Sequence, residues 1–130
     1  MTVQEFYASI GGGYENAKSI MMRDSFIERM ILKFPADRDT NSLMESLREA
    51  AKTGDSFKAF EAVHGLKSVT GNLGFMELYK AVCELVEQLR PVKNDPSLHL
   101  DIDQSLLAAV ETQYQKVIDA LGRYAAERGQ

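Results

Sequence analysis

From residue 107 to residue 124 an apolar side chain returns every third or fourth position: Leu107, Val110, Tyr114, Val117, Leu121 and Tyr124. With about 3.6 residues per turn, these share one stripe of a helix. A stripe sustained over almost three heptads has to be buried against other helices. The same spacing recurs upstream. Phe26, Ile27, Met30, Ile31 and Phe34 share a face of segment 25–34, and Leu43, Leu47 and Ala50 share one of segment 41–54. Beyond Gly74, Leu78, Val82, Leu85 and Leu89 are spaced 4, 3, 4. Strand-type alternation is nearly absent. The expected fold is therefore all-α: an antiparallel up-and-down four-helix bundle with short additional N-terminal helices.

Helix breakers set the expected boundaries. Gly11-Gly12-Gly13 ends a first short helix over 3–10, and a second runs over 14–22. Pro35 and the following A-D-R-D-T end the helix over 25–34. Gly54 stops the next one, Asp55 or Ser56 caps a helix that continues to Leu73, and Gly74 breaks that helix. Segment 91–100, with Pro91, Pro96 and Asn94-Asp95, is the one substantial loop, and the last helix is expected from Asp101. Met21, Met22 and Met30 are expected to fill the core. No internal repeat interrupts this plan. A chain of 130 residues is long enough for one core, so a single domain over 1–130 is expected.

Charge and composition narrow the function. The net charge is -4, and the densest basic stretch, 90–93, holds only Arg90 and Lys93. Phosphate backbones need clustered cations, so no nucleic-acid partner is expected. The single cysteine, Cys83, rules out an internal disulfide and suits a reducing compartment. No basic-then-apolar leader opens the chain and no apolar run is long enough to span a membrane. The expectation is a free-standing, monomeric, cytoplasmic protein away from membranes.

The helix over 57–73 holds the most informative stretch, A-V-H-G-L-K-S-V-T-G-N-L-G. At about 100° per residue, Ala59, Ala62, Val63, Leu66, Thr70 and Leu73 gather on the side that must face the core. His64 lands almost opposite, on an outer stripe with Phe57, Phe60, Glu61, Lys67, Ser68 and Gly71. The histidine is expected to be exposed. A mid-helix glycine costs about 0.8–1.0 kcal/mol relative to alanine. Small residues after His64, with an aromatic pair before it, therefore suggest a surface cleared for a docking partner; the alternative for Phe57 and Phe60 is that they tuck against neighbouring helices.

The pattern H-x-L-K-[GS]-x-x-G-x-x-G, here His64, Leu66, Lys67, Ser68, Gly71 and Gly74, resembles the signature of histidine-containing phosphotransfer (HPt) domains. Chain length, helix order and the F-P-A-D turn at residues 34–37 resemble the family as well. One departure is Ser68, where glycine is commoner; serine is still small. The resemblance implies a four-helix bundle that relays a phosphoryl group between a sensor or hybrid histidine kinase and the aspartate of response-regulator receiver domains. It implies phosphorylation at His64. An imidazole offers a neutral nucleophilic nitrogen near neutral pH, and Nε2 projects furthest from a helix. Lys67, three residues on, is expected to steady phosphoryl oxygens; Glu61, one turn before, is counted with the docking surface, with orienting the ring or holding its proton as a lesser alternative. In the family Mg²⁺ belongs to the partner receiver's acidic pocket. No cofactor or metal of the chain's own and no autonomous kinase activity are therefore expected.

His99, in the loop, is expected to be solvated and outside any site, and His64 lacks the inward Glu-x-x-His partners of a helical metal centre. The rival reading is a non-enzymatic four-helix adaptor that binds a partner through the same stripe without carrying phosphate. An excised domain of a larger kinase is a further alternative.

Overall fold

A computed structural model describes residues 1–129, and every regular element in that range is helical. The α-helices are α1 (Val3–Ser9), α2 (Tyr14–Met21), α3 (Asp24–Lys33), α4 (Arg38–Thr53), α5 (Ser56–Leu73), α6 (Met76–Leu89) and α7 (Gln104–Glu127). Two 3₁₀ turns, Phe34–Ala36 and Arg90–Lys93, follow α3 and α6.

The starts of α1, α4, α5 and α7 are capped by short oxygen-bearing side chains, which satisfy amides that have no partner within the helix. Thr2 and Glu5 form a reciprocal capping box on α1. Asp37 accepts from the Thr40 amide at 3.0 Å and the Thr40 hydroxyl at 2.6 Å. This cap corrects the expected boundary: A-D-R-D-T opens α4 at Arg38 and is not merely the end of the preceding helix. The start of α7 also moves, from Asp101 to Gln104. Gln88 of α6 donates to the Asp101 carbonyl at 3.0 Å and accepts from the Asp103 amide at 3.1 Å, which holds 101–103 out of helical register.

Each long helix packs on the next, α4 on α5, α5 on α6 and α6 on α7. Side chains join α4 to α7: Arg48 meets Glu111 at 3.1 Å, and the Tyr114 hydroxyl donates to Asn41 Oδ1 at 3.3 Å. The apolar stripes supply the core. Leu78, Val82, Leu85 and Leu89 are buried, as are Val110, Tyr114, Val117, Leu121 and Tyr124, whereas Leu107 is only half-buried. Two expected core residues lie outside it. Phe26 is 39% exposed and Met22 74% exposed, because the chain reverses between α2 and α3 at a rim where only Ile27 and Ile31 of α3 are fully buried.

The N-terminal helices are fastened to the end of α5. The Tyr7 hydroxyl donates to the Leu73 carbonyl at 2.6 Å, and burial pushes its phenol well above the ordinary tyrosine range. Phe75, fully buried, lies edge-on to Phe34 at 5.0 Å between ring centroids and packs near Phe6 and Tyr7 at 6.2 and 6.1 Å. Such aromatic pairs add to plain area burial.

Two expectations follow. Phe75→Ala should destabilise the protein by about 3–5 kcal/mol, because it empties the centre of this aromatic group; urea unfolding should show a lower midpoint with little change in slope. Asp37→Ala should cost about 1 kcal/mol at neutral pH. Hydrogen bonds from Thr40 hold the Asp37 carboxyl below its usual range. Its contribution is present above the unfolded pKa and lost as pH falls through the folded one, so the gap between wild type and variant should close in acid. Paired unfolding curves at neutral and acidic pH check the sign.

Candidate functional site

Along α5 the sides separate as the period requires. Ala59, Ala62, Val63, Leu66, Thr70 and Leu73 are buried, and His64 is exposed. The imidazole is not loose: it lies nearly parallel to the Phe60 ring, with 5.6 Å between centroids and 28° between planes. His64 forms part of the wall of two surface depressions. One, about 320 Å³, is lined by Lys67, Ser68, Gly71, Asn72 and Tyr79. The other, about 330 Å³, is lined by Phe57, Phe60, Glu61 and Lys93.

The outer stripe therefore divides around His64. Glu61 and Ser68 are exposed, and Lys67 is half-buried. The aromatic pair is corrected. Phe60 is only 5% exposed, and Phe57 is half-buried against the core. The Arg90–Lys93 turn packs on α5, which a helical wheel of α5 alone does not contain. Phe60 thus supports the imidazole and offers little surface of its own.

The glycines are corrected as well, because each has an intramolecular reason to lack a side chain. A Cβ on Gly65 would come to 3.0 Å from both Leu43 methyl carbons of α4. One on Gly71 would lie 3.1 Å from Cε1 of Tyr79, so Gly71 accommodates the α6 ring that lines the same depression. Gly74 takes φ 72° and ends α5; its Cβ would fall 2.8 Å from the Gly13 carbonyl oxygen.

The charges around the site are interlocked. Arg90 donates to Glu87 through Nη2 at 2.6 Å and Nε at 3.0 Å. That bond, with weaker help from the Lys67 charge, holds the Glu87 carboxyl below its usual range. The neighbouring Cys83, one turn further along α6, raises the Tyr79 phenol pKa. Cys83 is half-buried. His99 lies apart, an exposed side chain 3.6 Å from Asp101.

Lys93, Asn72 and Tyr79 were not anticipated as neighbours of His64. Asn72 had a local signal, since it lies two turns after His64 on α5. Lys93 and Tyr79 come from other elements and had none.

Among the described residues no cluster of three or more His, Cys, Asp or Glu side chains is placed to hold a metal ion. No helix among them is long and apolar enough to cross a membrane. No curated protein and no solved structure matches the chain. A family model described as "Hpt domain" matches residues 38–122. The match begins with the first residue of α4, takes in all of α5 and α6 and reaches well into α7. His64 and its stacked, lysine-flanked surface lie inside it, and the chain belongs to the Hpt domain family.

Proposed function

We propose that this protein is a phosphocarrier of a two-component phosphorelay. His64 accepts a phosphoryl group and passes it to, or receives it from, the aspartate of a response-regulator receiver domain, with a sensor or hybrid histidine kinase upstream. The observation that carries this reading is the position of His64: an exposed imidazole, stacked on Phe60, on the central helix of the matched family segment. Hpt domains carry phosphate in phosphorelays, and the chemistry asked of the residues here is modest. Phosphoryl transfer depends on positioning and charge stabilisation. In this reading Nε2 of His64 is the nucleophile and Lys67, three residues on, steadies phosphoryl oxygens.

Glu61, Ser68 and the exposed part of Phe57 serve in this reading as the docking face for the receiver, beside the depression that Gly71 lines. The chain has no kinase activity of its own, and Mg²⁺ enters with the partner's acidic pocket. We read α4 to α7 as an antiparallel up-and-down four-helix bundle, supported by their sequential packing and the Arg48–Glu111 tie. The N-terminal helices join it in a single domain over 1–130, acting as a monomer in the cytoplasm.

His64→Gln should abolish phosphate uptake from a phosphorylated receiver. Its stability should change by about 1 kcal/mol or less, since the site is on the surface and the main loss is one stacked pair. Acid-labile labelling together with a thermal melt checks both halves. Uptake persisting in the variant would move the acceptor elsewhere, and a soluble partner complex without any labelling of the wild type would favour the adaptor reading. Lys67→Ala should slow transfer while leaving receiver binding in place, measured by labelling kinetics beside a binding titration.

A further inference from the structure

We propose that Lys93 is a second phosphoryl-binding cation, which with Lys67 holds the group on His64 from the opposite side. The inference rests on the reading of His64 as the phosphoryl acceptor and adds a residue to that site. His64 separates two depressions, and each contains one lysine: Lys67 on one side, Lys93 on the other. A phosphoryl group bonded to the exposed edge of the ring carries its charge on oxygens that spread to both sides of the bond. One ammonium can neutralise only part of that charge.

Lys93 is well placed to supply the rest. It ends the Arg90–Lys93 turn, whose Pro91 restricts the backbone and whose Val92 is fully buried. The turn packs against both α5 and α6. The exposed Lys93 side chain therefore springs from a backbone anchored by the buried Val92, and less ordering is needed to engage the phosphoryl group. The floor between it and His64 is aromatic, Phe57 and Phe60, which weakens solvent screening of the contact. Glu61 shares that depression and repels an incoming anion, so a cation on the same side offsets it. The third nearby cation, Arg90, is already engaged by Glu87.

A small donor separates contact with the phosphoryl group from contact with a protein partner. Phosphoramidate serves: the ring lone pair forms the new N–P bond, the donor's P–N bond breaks and ammonia leaves. The excess proton on the ring passes to solvent. With the full-length protein and no partner present, Lys93→Gln should take up phosphate about three- to tenfold more slowly than wild type, a range suited to an exposed electrostatic contact. Lys93→Arg should return to within about twofold, because the charge and donors are kept. Raising the salt concentration should narrow the gap between wild type and Lys93→Gln, which a purely structural role would not produce. Circular dichroism confirms that each variant is folded. Equal uptake by wild type and Lys93→Gln, or failure of Lys93→Arg to restore the rate, would overturn the role of Lys93 while leaving His64 as the acceptor. No uptake at His64 in the wild type would overturn the acceptor reading, and the role of Lys93 with it.

Discussion

The arrangement of the whole chain turns on one close approach of two backbones. Gly13 and Gly74 lie so near each other that a Cβ on Gly13 would fall 1.9 Å from the Gly74 carbonyl oxygen. Both have positive φ, 114° and 72°, a region that glycine enters without the steric cost other residues meet. At Gly74 α5 ends in paired hydrogen bonds, Gly74 N–H to Gly71 and Phe75 N–H to Thr70, which satisfy carbonyls otherwise left over at a helix end. The next residue, Phe75, enters the aromatic core, and Tyr7 takes the Leu73 carbonyl. The N-terminal helices, the end of α5 and the start of α6 are thus joined over a few residues. That junction sets α6 against α5, and so brings Tyr79 over Gly71 and the Arg90–Lys93 turn beside Phe60.

This explains which parts of the molecule were legible in the sequence. The buried line of α5 and the stripe of α7 follow from a repeat that lies wholly within each helix, and the helix resists any other way of burying them. The neighbourhood of His64 and Lys67 was legible for the same reason, because three residues along a helix are adjacent whatever surrounds it. A helical wheel puts Phe60 on the outer stripe of α5 because the 3₁₀ turn that packs on α5 lies some thirty residues later in the chain and is not part of that wheel. In the sequence alone the glycines look like clearance for a partner, because Leu43, Tyr79 and Gly13, which need the space, belong to other elements. The A-D-R-D-T segment carries a terminator and a cap together, and only the Asp37–Thr40 bonds show that the cap governs most of it.

Electrostatics imposes a second level of organisation that local sequence cannot display. The stretch 87–93 looks like a weakly basic end of a helix. In the fold Glu87 binds Arg90 and removes that cation from competition, while its carboxylate also feels Lys67. Lys93 lies one turn beyond, in the depression on the far side of His64. The acid between the bases keeps positive charge from pooling beside α6 and leaves the lysines flanking His64 as separate cations.

The contact between His64 and Phe60 shows how an exposed group can be oriented and still react. Stacking engages the face of the imidazole, whereas the lone pair of a ring nitrogen lies in the ring plane. A ring held by one face therefore loses rotational freedom without covering its nucleophilic edge. Glu61 lines the same depression, but no hydrogen bond joins its carboxylate to the ring, so the orientation rests on Phe60. An aromatic support fixes direction through the ring face alone. For the phosphocarrier proposed above, which must both accept and release its cargo, that separation matters. In the proposed reading position comes from Phe60 and charge compensation from the two lysines, and neither requires the histidine to be buried. Burying it would strengthen the charge interactions but would close the approach along which a second protein must align its aspartate.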